Sequence, residues 1–331
     1  DEQVMAVDKV RYIGDEVAAV AAISEDIAEE ALELIEVEYE ELPAVFNPEE
    51  AIEEGAPKIH DSGNTLLTVS LSKGDVDKGF KEADYVFEDR YVTQYQLQCH
   101  LEPTDCMASW DITGKLTVWV TSMCPHTIRH TMAKALNMTE SNIQIIQPVM
   151  GGGFGHKVQM PHLYAICAVL ARKAGRPVRL VNSRGEDLSS TRPRVPMLIQ
   201  LKTGVKRDGT LTAGHMKITA DTGAYAGESR GIMCLGGLTP LNLYKYPNIQ
   251  FEGKVVYTNK TAPSIFRGYG CLQGMFACES QMDEIAEKLG IDPIELRLKN
   301  VVEPGDETIL GWKIGSCGLR ECIKKVSESI K

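Results

Sequence analysis

The sequence predicts an α/β fold of mixed α+β character, divided into two units of unequal size. Three observations carry this reading. Some segments repeat apolar residues at helical spacing while others alternate apolar and polar residues, the period of a half-buried strand. The two kinds of segment follow one another along the chain instead of clustering. At 331 residues, 43% hydrophobic and 24% charged, the chain is long and apolar enough for two ordinary cores.

The first unit spans 1–60. EVAAVAA (16–22) reads as a buried strand. Ser24 caps a helix with Glu25 and Asp26 in its first turn, and Ile27, Ala31, Leu34 and Ile35 follow at helical spacing. Ile35, Val37 and Tyr39 then alternate with Glu36, Glu38 and Glu40 as a strand that Pro43, Asn47 and Pro48 break. The second unit spans 61–331, and its first stretch, Asp61 to Gly74, reads as a connection. LTVWV (116–120) is a strand with Leu116, Val118 and Val120 on one face, HTIRHTMAKALN (126–137) a helix, and NIQIIQ (142–147) a strand that runs into MGGGFGHK. HLYAICAVLARKAG (162–175) is a buried helix closed by Gly175, and VRLV (178–181) returns as a strand. Residues 198–223 form a hairpin turning at Asp208-Gly209. Gly227 to Tyr246 shows no period and reads as a long loop. Residues 271–290 form a long helix closed by Gly290, with Cys271 and Cys278 on one buried face, and Asp292-Pro293 start a short one.

Composition removes several function classes. A net charge of -11 argues against a nucleic-acid partner, whose phosphates need a basic face. No apolar stretch approaches the roughly 20 residues of a spanning helix, and DEQVMAVDKVRY is not a signal peptide. The nine cysteines contain no CxxC and no ferredoxin-type spacing, so they read as reduced structural thiols of a cytoplasmic protein.

Three loops can carry chemistry. In MGGGFGHK (Met150 to Lys157), Gly151, Gly152 and Gly153 let the backbone approach a ligand and offer several N–H groups in one bend, with Phe154 and Gly155 completing it. The following helix would add positive charge at its N-terminus, which suits an anionic group. The P-loop pattern fails, because His156 stands where glycine belongs and Val158 replaces the hydroxyl residue; G-x-G-x-x-G fails at His156. The plain alternative is a tight structural turn. In SIFRGYGCLQG (Ser264 to Gly274), glycines on both sides of Tyr269 expose its ring for stacking and Arg267 can hold an anion or carbonyl. The plain alternative packs Tyr269 into the core and pairs Arg267 with a carboxylate. In YQLQCHLEPTDC (Tyr95 to Cys106), Gln96, Gln98 and His100 alternate toward one face if extended, and a lone His100 is more often a satisfied interior residue than a metal ligand.

Taken together, these loops resemble the xanthine oxidase and aldehyde oxidase family of molybdenum hydroxylases. GGGFGHK resembles the family's GGGFGGK, SIFRGYGCLQG its AFRGFGxPQ, and QLQCHLEP the strand that brings a glutamine to the molybdenum. DTGAY (221–225) and QMDEIAEKLGIDPIELRLKN add to the likeness, and VRYIGDEVAAVAA and IEVEYEELPAV resemble the end of the family's hammerhead domain. The resemblance implies that 1–60 is the C-terminal part of an a/b hammerhead domain and 61–331 the first molybdopterin cofactor-binding domain. It implies a molybdopterin, plain or as the cytosine dinucleotide, and a reaction that oxidises a purine or aromatic N-heterocycle with water as oxygen source. An aldehyde-oxidising member and a non-catalytic assembly module of the same fold are the alternatives; an unrelated phosphate-ligand enzyme using MGGGFGHK is the rival outside the family.

By motif, Gly151, Gly152, Gly153, Phe154 and Gly155 would line the cofactor, Arg267 would sit beside the metal, and Gln96 would reach the metal's oxygen. Tyr269 would replace the phenylalanine that stacks on substrate. Val158 stands where purine-oxidising members place a glutamate, Arg230 is a candidate substrate arginine, and SMCPH (122–126) departs from STQNP. The family's catalytic glutamate lies in a GxGE motif beyond CGLRECIKKV, so the resemblance implies a second molybdopterin-binding subunit that carries it. It likewise implies [2Fe–2S] and FAD subunits, a split arrangement as in nicotinate dehydrogenases or bacterial xanthine dehydrogenases.

Overall fold

Ser24 starts the first helix by accepting a hydrogen bond from the Ile27 amide. That helix, α1 (Glu25–Glu33), opens the computed structural model, which describes residues 2–159 and 161–330. A one-turn helix α2 (Pro48–Ala51) follows, then β1 (Thr65–Lys73), α3 (Val76–Lys81) and β2 (Tyr85–Val92). The middle of the chain runs β3 (Asp105–Trp110), β4 (Leu116–Val120), α4 (Pro125–Ala135), β5 (Ile143–Ile146), α5 (His162–Ala174), β6 (Val178–Val181) and α6 (Arg184–Ser189). The remainder is β7 (Met197–Val205), β8 (Leu211–Asp221), α7 (Ser229–Leu241), β9 (Asn248–Val256), α8 (Cys271–Leu289), α9 (Pro293–Asn300) and α10 (Leu319–Ser329). Among the described residues no helix is long and apolar enough to cross a membrane.

Two mixed sheets organise these elements, in keeping with the predicted class. One has the order β1-β9-β8-β7-β2 and the other β5-β4-β3-β6. The β7–β8 hairpin turns at Gly209, whose positive φ of 84° only glycine adopts cheaply. Its alternating residues Met197, Ile199, Leu201, Met216 and Ile218 are buried and pack with Phe251 against Ile232 and Met233 of α7 and Met282 and Ile285 of α8. The smaller sheet buries Leu116, Val118 and Val120 against Ile128 and Met132 of α4 and Tyr164, Cys167 and Ala168 of α5. Gly175 closes α5 at φ 62°. Along α8, Cys278 is buried, while half-buried Cys271 lies 3.3 Å from the Thr239 hydroxyl of α7.

Five local expectations are corrected. The segment expected as a loop from Gly227 to Tyr246 contains α7, which is covered by the sheet on one side and α8 on the other and is apolar nearly all round, so no amphipathic period marks it. Its glycines are packing devices: a Cβ on Gly237 would lie 2.0 Å from the Phe251 ring, and one on Gly274 would lie 1.7 Å from the Gly236 carbonyl. The stretch expected as a connection, Asp61 to Gly74, holds β1, an edge strand whose alternation of Leu67, Val69 and Leu71 pairs along β9. The strands expected at 16–22 and 35–39 are not strands, because no ladder partner meets them among the described residues and a strand exists only through pairing. The glycine loop runs first into a short 3₁₀ turn, His156–Val158, and not directly into α5.

The N-terminal segment is fastened to the larger unit by an ion cluster at the start of α5. His162 lies 2.8 Å from Glu16 and 3.4 Å from Glu2, and Arg192 pairs with Glu2 at 2.5 Å. Burial alone would raise the Glu2 carboxyl, but the Arg192 charge and the His162 contact bring it down to about 2. Burial would lower the His162 imidazole, but the hydrogen bonds and charges of Glu16 and Glu2 raise it to about 9.

Two outcomes follow from this packing. Gly274→Ala forces α8 away from α7 and should lower the unfolding free energy by about 1–3 kcal/mol in urea titrations; an unchanged midpoint would contradict the close approach. The His162 cluster stabilises fully below about pH 6.5, the unfolded value, and loses that contribution as pH rises through about 9. Hydrogen exchange of the segment before α1 should therefore quicken between pH 7 and 9, after correction for intrinsic exchange, and His162→Leu should flatten the response.

Candidate functional site

A lysine with no solvent exposure holds the glycine loop. Lys157 donates 2.7 Å to Glu102 Oε2 and 3.3 Å to the carbonyls of Glu102 and Pro103, so all three ammonium protons have acceptors. Glu102 also accepts from the Gly151 amide at 2.9 Å. On the other flank the Lys157 carbonyl takes the Met123 amide at 2.8 Å and the Ser122 hydroxyl at 3.1 Å. Glu102, Lys157 and Ser122 were not singled out from the sequence; the only signal was their place in the HLEP, GHK and SMCPH runs.

The bend itself stands open on one side. Gly151 is exposed, Gly152 is half-buried at φ 102°, and Phe154, at φ 51°, leaves 47% of its surface in solvent. Among the described residues nothing accepts from the amides of Gly152 and Phe154. Gly153 is instead buried, where a Cβ would meet Met123 Sδ at 3.1 Å, and Gly155 is buried at φ 100° against Ile265. Only glycines allow the loop to lie this close to its supports, so the bend is both a tight turn and a set of free donors.

The arginine loop closes on the glycine loop. Arg267 donates its backbone N–H to the Phe154 carbonyl at 2.9 Å, and its side chain is exposed without a carboxylate partner among the described residues. Arg194, stacked 4.1 Å over the Phe266 ring, donates to the Arg267 carbonyl at 3.2 Å. Tyr269 sits at φ 45° between two left-handed glycines, half-buried, with its hydroxyl 2.9 Å from Glu228. Val158 is half-buried and Arg230, in the first turn of α7, is exposed.

The third loop joins them but does not keep the expected alternation. Residues 93–101 form no strand, and Cys99 at φ 49° turns the chain. Gln98 is buried, donating 3.0 Å to both the Arg192 and Ile265 carbonyls, whereas Gln96 is exposed and only its carbonyl is engaged, by the Arg194 amide at 2.9 Å. The inward glutamine is thus structural, and Gln96 is the one with a free amide. His100 is an interior residue bound to the Glu102 carbonyl, with its ring 5.0 Å from that of His156. Asp187 lies 3.8 Å from His100 and accepts from the Thr104 amide, while Thr104 Oγ1 contacts His156 Nε2 at 3.2 Å. Burial, then the neighbouring His100 charge, lowers the His156 imidazole to about 4.

A cleft of about 880 Å³ lies elsewhere, between α1 and β6, and takes only His156 and Gln159 from the loop region. Size alone would favour it. The free amides, the exposed guanidinium and the paired loops are on the open face of the bend, and the site is assigned there. Exposed donors, a guanidinium and no built acid–base pair suit the anionic part of a bulky cofactor.

Comparison with known proteins shows the family. Residues 59–301 match the molybdopterin cofactor-binding domain, and residues 1–43 match the aldehyde oxidase and xanthine dehydrogenase a/b hammerhead domain. The chain is 38% identical over 330 residues to one of the probable xanthine dehydrogenase subunits of Bacillus subtilis, covering 99% of this chain and 44% of the relative. It is 38% identical over 329 residues to the nicotinate dehydrogenase large molybdopterin subunit of Eubacterium barkeri, covering 99% of this chain and 77% of that one. The structure of quinoline 2-oxidoreductase from Pseudomonas putida 86 superposes with a TM-score of 0.94 at 29% identity, over 99% of this chain and 43% of that one. The chain thus spans less than half the length of two of these three relatives.

Because His156 is neutral in the fold, the unfolded chain binds the extra proton between about pH 6.5 and 4, and stability falls as pH drops through that window. The loss is about 3 kcal/mol, at 1.4 kcal/mol for each tenfold change in proton affinity. Thermal melts of His156→Asn should show a shallower decline from pH 6.5 to 4 than the wild type.

Proposed function

We propose a function on one premise: the chain belongs to the xanthine dehydrogenase and aldehyde oxidase family and carries its molybdopterin cofactor-binding domain. On that basis it is the part of a molybdenum hydroxylase that holds the pterin and one wall of the substrate pocket. The reaction is oxidation of a purine or aromatic N-heterocycle, with water as the source of oxygen. The observation that carries this reading is the Arg267 amide bound to the Phe154 carbonyl, which sets the glycine bend and the arginine loop side by side with Gln96 on the adjoining strap.

When bound, the cofactor supplies a metal centre that moves oxygen and two electrons. The chain's own residues bind and orient. The free amides of Gly152 and Phe154 would hold the pterin's anionic side, with Gly151, Gly153 and Gly155 shaping the bend beneath them. Arg267 would add positive charge next to it, and the Gln96 amide would orient polar groups there. Tyr269 offers a ring for stacking, with Val158 and Arg230 at the pocket's margin. Among the described residues none is placed as the proton acceptor, and we assign that role to a glutamate of the second half of the molybdenum region, on a companion subunit or otherwise. Companion [2Fe–2S] and FAD subunits would take the electrons, and extraction with mass measurement distinguishes the plain pterin from the cytosine dinucleotide.

The test is co-purification of the full chain with its companion polypeptides, followed by metal analysis and dye reduction with N-heterocycles and aldehydes. Molybdenum and heterocycle turnover are expected, the latter lost without the companions. Arg267→Ala should lower molybdenum content about tenfold or more while leaving the melting temperature nearly unchanged. A wild-type complex free of molybdenum and tungsten would overturn the reading.

A further inference from the structure

We propose that Glu228 determines substrate specificity at this site, selecting uncharged heteroaromatic rings that present an N–H edge and discriminating against rings that carry a carboxylate. The inference rests on the functional reading above and goes beyond it by naming the substrate class.

Glu228 precedes α7 at the N-cap position, yet its side chain caps no helix amide. Its carboxylate is engaged instead by the two loops of the site. Oε2 accepts from the Tyr269 hydroxyl at 2.9 Å and Oε1 from Gln159 Nε2 at 3.2 Å. Gln159 Oε1 in turn accepts from the buried Ser264 hydroxyl at 2.8 Å, which fixes the orientation of the amide and hence of the carboxylate. The network therefore joins the residue after Val158, the cap of α7 and the arginine loop in one arrangement.

Its chemistry is one-sided. Tyr269 has a single proton and gives it to Glu228, so toward a ligand the phenol oxygen is an acceptor only. Each carboxylate oxygen accepts one bond within the network and keeps capacity for another. No lysine or arginine pairs with Glu228 among the described residues. A half-buried negative charge without a cation favours an N–H donor through a charge-assisted bond and disfavours a second anion. Geometry holds the ring to this wall: a Cβ on Gly231 would lie 2.8 Å from the Tyr269 hydroxyl, so glycine there lets the phenol lie against α7 within reach of Glu228. Arg230 and Arg267 are the exposed cations on the flanking segments, and their dominance would reverse the preference.

The experiment uses the assembled, molybdenum-loaded complex and three probes: hypoxanthine (N–H donor), quinoline (uncharged, no donor) and nicotinate (anion). Steady-state rates and equilibrium binding without electron acceptor are measured for wild type, Glu228→Gln, Glu228→Asp and Tyr269→Phe. Wild type should prefer hypoxanthine to nicotinate. Glu228→Gln should weaken hypoxanthine about tenfold, mainly in KM and in the dissociation constant, and improve nicotinate by a similar factor, while quinoline moves least. Glu228→Asp, which keeps the charge, should restore the wild-type order. Tyr269→Phe keeps the ring and the carboxylate, and should preserve or deepen the discrimination against nicotinate even if Glu228→Gln fails to fold. A wild type that prefers nicotinate, or equal losses for all three probes in Glu228→Gln, overturns the assignment. Absence of molybdenum from the wild type instead sinks the functional reading, so the two failures are told apart.

Discussion

The structure of the site depends on the ion pair between Lys157 and Glu102. A lysine wholly removed from water is tolerable only if each proton finds an acceptor, and here Glu102 and two adjacent carbonyls supply them. Because Glu102 also takes the Gly151 amide, one carboxylate fixes both ends of the glycine bend. Within the bend so held, the amides of Gly152 and Phe154 are left without an acceptor among the described residues. The buried His100 and Asp187 beside it are held in a similar way, His100 by the Glu102 carbonyl and Asp187 by the Thr104 amide.

The second constraint is the close approach of α7 to α8 and to the larger sheet. Gly237 and Gly274 have no room for a methyl group, and this contact sets where the cap of α7 delivers Glu228 and where the arginine loop, just before α8, delivers Tyr269. The polar network from Ser264 through Gln159 to Glu228 exists only because three distant segments meet.

How much of this was legible follows from the range of each interaction. The β7–β8 hairpin, the alternating face of β4, the α5 helix with its glycine stop and the long α8 could all be read, because turn chemistry and hydrophobic period are local. The α7 helix could not, since a helix covered on both sides loses its period. Gln96, Gln98 and His100 were grouped by spacing, and one left-handed residue, Cys99, undid the grouping.

By itself the sequence determined the mixed α/β class, the three loops that carry chemistry and the family resemblance, since motifs and periods are written in neighbouring residues. Tertiary structure alone decided that Lys157 is buried on Glu102, that Gln96 and not Gln98 keeps a free amide, and that Glu228 meets Tyr269. Burial and hydrogen-bond partners are properties of residues far apart in the chain, and they come into being only when packing brings those residues within bonding distance.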